Sequence, residues 1–155
     1  MAVTIFKFLH IAAMFTAVSL SLGPAVLIRF GGRTGNARRI EALAATTIDI
    51  ARFIGPVFGL GVIFGLATVW LGGFDFTARW LLIAYALFLI GLAVGAGGEA
   101  GWTREVARVA AANTEPTAGP ALVAVLRSTR ANLLLVAFAG ILAALILDMV
   151  AKPFS

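Results

Sequence analysis

Polar and apolar positions along the chain alternate in long blocks instead of at short periods. Apolar runs extend from about Ile5 to Phe30, Phe53 to Leu71, Trp80 to Ala96 and Leu133 to Val150. Crossing about 30 Å of hydrocarbon takes roughly 20 helical residues, and these runs are of that order. They are too long and too continuous for strands, and a membrane β-barrel would need alternating polar and apolar positions. The expected fold is all-α: one integral membrane domain over residues 1–155, a four-helix transmembrane bundle with helices at about 5–30, 48–71, 78–112 and 120–151. The first run carries Lys7 as its one early cation and is too long for a signal core, so it is expected to remain as a helix.

Composition points the same way. The chain is 61% hydrophobic and 12% charged, with a mean hydropathy of +1.04. Average soluble domains are about 45–50% apolar and 25% charged, so a water-soluble globule of this length could not hide so much apolar surface. The formal charge of +5 would raise nucleic acid as a partner in a soluble protein. Here the cations flank the apolar runs, and the expected partner is the lipid bilayer, not nucleic acid. The absence of cysteine excludes disulfides, thiolate metal sites and thiol nucleophiles.

The same cations set the orientation. Arg29, Arg33, Arg38, Arg39 and Arg52 surround the first connection, and Arg104, Arg108, Arg127 and Arg130 surround the third, whereas the opposite side holds only Lys7, Arg79 and Lys152. The positive-inside rule places the two Arg-bearing connections in the cytoplasm and both termini outside, in a bacterial inner (plasma) membrane. The Gly72–Thr77 turn then lies outside. Ala37–Ile48 reads as an inward extension of the second helix, and Trp102–Ala112 as one of the third. The third and fourth helices are expected to protrude as a cytoplasmic hairpin, with Pro120 in the first turn of the latter.

Within the spans, Gly55 with Gly59, Gly61 with Gly65 and Gly91 with Gly95 recur at four-residue spacing. Between helices in lipid, close backbone approach through small residues is a main source of association, so these six mark expected packing faces, within one chain or between two. Gly23-Pro24 and Gly55-Pro56 predict kinks whose facing could open a small cavity.

The first helix also carries a polar seam. Lys7, His10, Met14 and Ser21 fall on one face, with Thr4 and Pro24 continuing it. Polar groups within a span are costly and turn to the bundle interior. Asp148 reaches the depth of Lys7 on the fourth helix, which predicts a Lys7–Asp148 ion pair, and Asp49 with Arg52 predicts another. His10, the single histidine, has three readings: a buried group satisfied by a hydroxyl such as Thr68 or Tyr85, a haem ligand, or a proton carrier. No phosphate loop, paired intramembrane carboxylates, metal-ligating cluster or nucleophile elbow is present in the sequence, so no catalytic or metal residue is assigned.

The residues Phe-Lys-Phe-Leu-His (6–10), a first helix ending in Gly-Pro and Arg, an Arg-rich loop, Arg-Phe-Ile-Gly-Pro-Val-Phe-Gly-Leu (52–60) and the closing Trp70-Leu71 resemble a bacterial family of small predicted integral membrane proteins of unknown function. That family is distantly similar to the copper-resistance D membrane proteins. The opening Lys-x-x-His also resembles the haem-containing membrane protoporphyrinogen oxidases, a likeness that implies His10 as haem ligand. The third helix, Trp80 to Gly91, has neither the lysine nor the histidine of that pattern. The expected function is a non-enzymatic accessory or scaffold that packs with itself or with a larger membrane complex and needs no cofactor. The alternative is a b-type haem or porphyrin protein using His10, and a third reading is a small transporter or ion path along the seam.

Overall fold

The computed structural model describes residues 1–152 and is helical throughout its ordered elements. Helix α1 spans Ala2–Gly32, α2 Ala37–Leu71, α3 Arg79–Val94, α4 Ala100–Ala111, α5 Pro120–Leu126 and α6 Thr129–Ala151. A π-helical turn, Gly95–Glu99, joins α3 to α4 without a break, so that Arg79–Ala111 forms one rod. Four helices are long and apolar enough to cross a membrane: Ala2–Gly32, Ala37–Leu71, Arg79–Ala111 and Pro120–Ala151. Large side chains such as Phe8, Phe15, Leu89, Val136 and Ile146 point outward on these spans, as lipid-facing positions should and water-facing ones should not.

Local chemistry accounts for the helix ends. The Asn36 side chain accepts from the Arg39 amide at 3.0 Å and caps α2, and Ser128 caps α6 through the Ala131 amide, each satisfying a donor that the helix leaves free. Pro120 begins α5, where a missing N–H costs nothing. The turns before α2 and after it use Gly35 and Gly73 at φ of 65° and 67°, a region that side chains disfavour.

Pairing is sequential at first: α1 packs along α2, and α3 along α6. The two pairs are tied together at the Arg-bearing end, where α4 packs on α2. There the main core forms from Ile28, Ala37, Ile40, Ala44, Trp102, Val106, Ala110, Leu122 and Ala131. The two Arg-bearing connections also join directly: the Ala37 amide donates to Pro116 O at 2.9 Å and the Ala118 amide to Gly35 O at 2.7 Å. The expected hairpin of the third and fourth helices is not free-standing. Its apolar face is covered by the extension of α2, and the fourth span breaks at Arg127–Ser128, so that α5 folds into the same core. The terminal end has a smaller cluster of Val69, Trp80 and Leu81.

Candidate functional site

Helix α1 positions the charged residue that organises the Arg-bearing end. Arg29 lies in its last turn and reaches across the bundle to Glu99, making two contacts at 3.1 and 3.2 Å. The same guanidinium donates to Ala25 O, Ala131 O and Asn132 Oδ1 and lies 4.0 Å from the centre of the Trp102 ring. Trp102 is fixed in turn by its indole N–H, which donates to Val125 O at 3.0 Å. Two opposite charges, bidentate geometry and a full set of acceptors are what a buried ion pair requires to offset desolvation.

The π-turn places Glu99 in that position. An i to i+5 turn inserts extra backbone and rotates the residues after it relative to a continuous α-helix, and Glu99 at its end is buried. The run Gly95-Ala96-Gly97-Gly98 lets α6 come close: a Cβ on Gly95 would stand 3.3 Å from the Phe138 ring, and one on Gly98 3.0 Å from Leu134. Sequence reading missed Glu99, Asn132 and the role of Trp102. The signal was available, since an acid inside a glycine-rich stretch of a membrane helix demands a cation partner.

On the polar seam, His10 meets α2. Its Nδ1–H donates to Gly61 O at 2.7 Å, and its ring occupies the space in front of Gly65, where a Cβ would stand 2.8 Å from Nδ1. Met14 fills the corresponding space in front of Gly61 at 3.0 Å. The two residue pairs, His10 with Gly65 and Met14 with Gly61, interlock α1 and α2 where small residues permit it. The expected hydroxyl partners are corrected: Thr68 bonds its own helix at Phe64 O, and the buried Tyr85 hydroxyl has no partner among the described residues. Ser21 donates to Ala17 O one turn back, as a hydroxyl does when apolar neighbours offer nothing else. Lys7 is exposed.

The Lys7–Asp148 pair is not formed. Asp148 is buried, and neither of its carboxylate oxygens has a hydrogen-bond partner among the described residues. The physical reason is the pairing of helices: α1 runs along α2 and α6 along α3, and α1 reaches α6 at the Arg-bearing end, through Arg29, far along the helix from Lys7. Nor do Asp49 and Arg52 pair. Among the described residues the ion pairs are Arg29–Glu99, Arg38–Glu41 and Arg108–Glu105, and Arg52 instead lies over the Phe53 ring.

The six glycines divide. Gly61 and Gly65 contact α1, while Gly91 and Gly95 lie against Ile141 and Phe138 of α6. Gly55 and Gly59 are exposed, and a Cβ at either would meet nothing within 4 Å, so among the described residues they pack nothing. Pro24 is buried and Pro56 exposed, so the two prolines do not face one another. The half-open groove at this end, about 210 Å³, lies between α1 and α6, lined by Val26, Arg29, Phe30, Arg33 and Leu135.

Lipid-facing side chains along four spans, with buried charge paired at one end of the bundle, define a multi-pass integral membrane protein. More particularly, the chain belongs to a family described as predicted integral membrane protein (DUF2269), whose model matches residues 4–153. A comparison with curated proteins and one with solved structures found no match. The likeness to copper-resistance D proteins and to protoporphyrinogen oxidases is not part of the family match.

Proposed function

We propose that this protein is a non-enzymatic accessory or scaffold module of a bacterial-type inner membrane, with its termini outside and its Arg-bearing connections in the cytoplasm. It associates through one face of α2 with a second copy of itself or with a larger membrane complex. The observation that carries this reading is the outward placement of Gly55 and Gly59, one helical turn apart, with no internal neighbour. A small-x-x-x-small face turned to lipid lets a second helix approach closely, and van der Waals contact is then the main source of cohesion. The distribution of arginines supports the orientation. At the Arg-bearing end, Arg29 and Glu99 use their hydrogen-bonding groups on each other and on the bundle, which supports a structural role for that pair.

The natively cysteine-free chain allows a direct test. Gly59→Cys in native membranes is expected to cross-link to a second copy or to another membrane protein, whereas Val136→Cys on the exposed face of α6 is not. Failure of Gly59→Cys to cross-link more than Val136→Cys would reject the association face.

A second reading, b-type haem or porphyrin bound through His10, has one observation in its favour. Donation from Nδ1 to Gly61 O leaves Nε2 of the neutral ring with its lone pair free, the arrangement that ligating histidines use. Protein from haem-replete cells would then show a Soret band that His10→Ala abolishes and Tyr85→Phe spares. Without such a band the reading fails.

A further inference from the structure

The groove beside Arg29 has walls of two kinds. Val26 and Phe30 on α1 and Leu135 on α6 make an apolar floor, and Val26 and Phe30 are open to the lipid side at 37% and 56% exposure. Arg29 and Arg33 complete the lining. Their electrostatics differ: the charge of Arg29 is matched by Glu99, whereas Arg33 is exposed, lies 4.8 Å from the Phe30 ring centre and has no carboxylate partner among the described residues.

More unmatched charge lies alongside. A Cβ on Gly32 would stand 3.2 Å from Leu126, and Arg29 donates to Ala131 O, so the corner between α5 and α6 borders the end of α1. That corner carries Arg127 and Arg130, both exposed and both outside the three ion pairs of the described residues. No acid lines the groove. Position along α1 completes the arrangement: at about 1.5 Å per residue, Arg33 stands roughly 10 Å beyond Val26 toward the Arg-bearing end, about the separation of a headgroup phosphate from the upper part of an acyl chain.

We propose that this groove binds an anionic phospholipid, whose phosphate is held by Arg33 with Arg127 and Arg130 beside it, and whose upper acyl chain lies on Val26, Phe30 and Leu135. Charge complementarity selects an anion: Arg33 at the groove, and Arg127 and Arg130 on the adjoining corner, have no carboxylate partner among the described residues, and basic residues at a membrane surface attract anionic headgroups. The apolar floor open to hydrocarbon selects a lipid over a soluble anion. The site rests on the membrane reading of the chain and not on association through Gly59, so either can fail alone.

The test uses the full chain, delipidated in detergent and offered equimolar phosphatidylglycerol and phosphatidylcholine with identical acyl chains, with retained lipid read by native mass spectrometry. Phosphatidylglycerol is expected to be retained about tenfold over phosphatidylcholine. Arg33→Gln should reduce that preference at least fivefold, Arg33→Lys should restore part of it, and Leu135→Trp, which fills the groove, should reduce retention of both lipids. Arg104→Gln, a change at an exposed arginine on α4, should leave the preference intact, and unchanged thermal unfolding would show each variant folded. Equal retention of the two lipids, an Arg104→Gln effect as large as that of Arg33→Gln, or displacement of phosphatidylglycerol by inorganic phosphate or by oligoglutamate at millimolar concentration would overturn the proposal. The last two outcomes would assign the site to a soluble anion or an acidic protein segment.

Discussion

The two ends of the bundle treat a buried carboxylate in opposite ways. At the Arg-bearing end Glu99 meets a guanidinium that is itself bonded to three helices' worth of acceptors and lies against an indole ring. At the terminal end Asp148 is equally buried, and its oxygens have no partner among the described residues. The first arrangement offsets its desolvation through charge and hydrogen bonding; the second does not. The contrast shows that burial of an acid in this membrane protein does not have one meaning. Glu99 locks three helices together, whereas Asp148 ties nothing together among the described residues.

The largest effect should come from breaking the satisfied end. Arg29→Ala leaves Glu99 buried without its cation and is expected to cost about 3–5 kcal/mol, measured by thermal or denaturant unfolding in detergent. The double variant Arg29→Met/Glu99→Leu should recover most of that loss, because apolar residues of similar volume often replace a buried pair without net cost. A double variant as unstable as the single one would mean that the guanidinium acts mainly through its carbonyl and indole contacts.

Next in size is the interlock between α1 and α2. Gly65→Leu drives a side chain into the space of the His10 ring and should cost about 1–3 kcal/mol by overpacking. Gly59→Leu, with nothing within 4 Å, should leave the unfolding midpoint of the separated chain unchanged. Equal losses at the two positions would remove the distinction between inward and outward glycines.

The unsatisfied end should respond with the opposite sign. Asp148→Leu removes a buried polar group without partners among the described residues and is expected to raise stability by about 1–3 kcal/mol. A destabilisation of that size would show that the carboxyl makes a bond that the helix pairing does not reveal.

The smallest effect lies in the turn between α2 and α3, where Asp75 accepts from the Thr77 amide and hydroxyl at 2.8 and 2.7 Å. These bonds, the backbone one first, hold its carboxyl below the usual value of 3.8. A depressed folded-state value means that the contribution to the turn is complete above about pH 4 and is lost as the pH falls further, through the folded value. The protection of the Thr77 amide, as its exchange rate relative to the intrinsic rate at each pH, should therefore be constant from neutral pH to about pH 4 and fall below it, and Asp75→Ala should abolish that step. A step placed well above pH 4 would contradict the bonding.

The pattern of apolar runs was enough to assign the class of fold. Runs of apolar residues of membrane length need no tertiary information, because the bilayer supplies the solvent that decides them and each span must satisfy its own backbone. The four-residue glycine spacing was legible for the same reason, and it located Gly61, Gly65, Gly91 and Gly95 at contacts. Spacing does not say which side of a helix faces protein, so Gly55 and Gly59 read identically and lie outward. Equal depth suggested Lys7 with Asp148, but depth fixes only one coordinate, and the neighbour relations of helices α1 with α2 and α3 with α6 fix the other two. The partner of His10 is a backbone carbonyl, which every residue carries and no sequence pattern marks. Glu99 joins Arg29 because a π-turn reorients the helix beyond Gly95–Gly98 and because α6 can close on those glycines. That union spans 70 residues of chain, and only the tertiary structure, in which two helix pairs meet at one end, brings the opposite charges together.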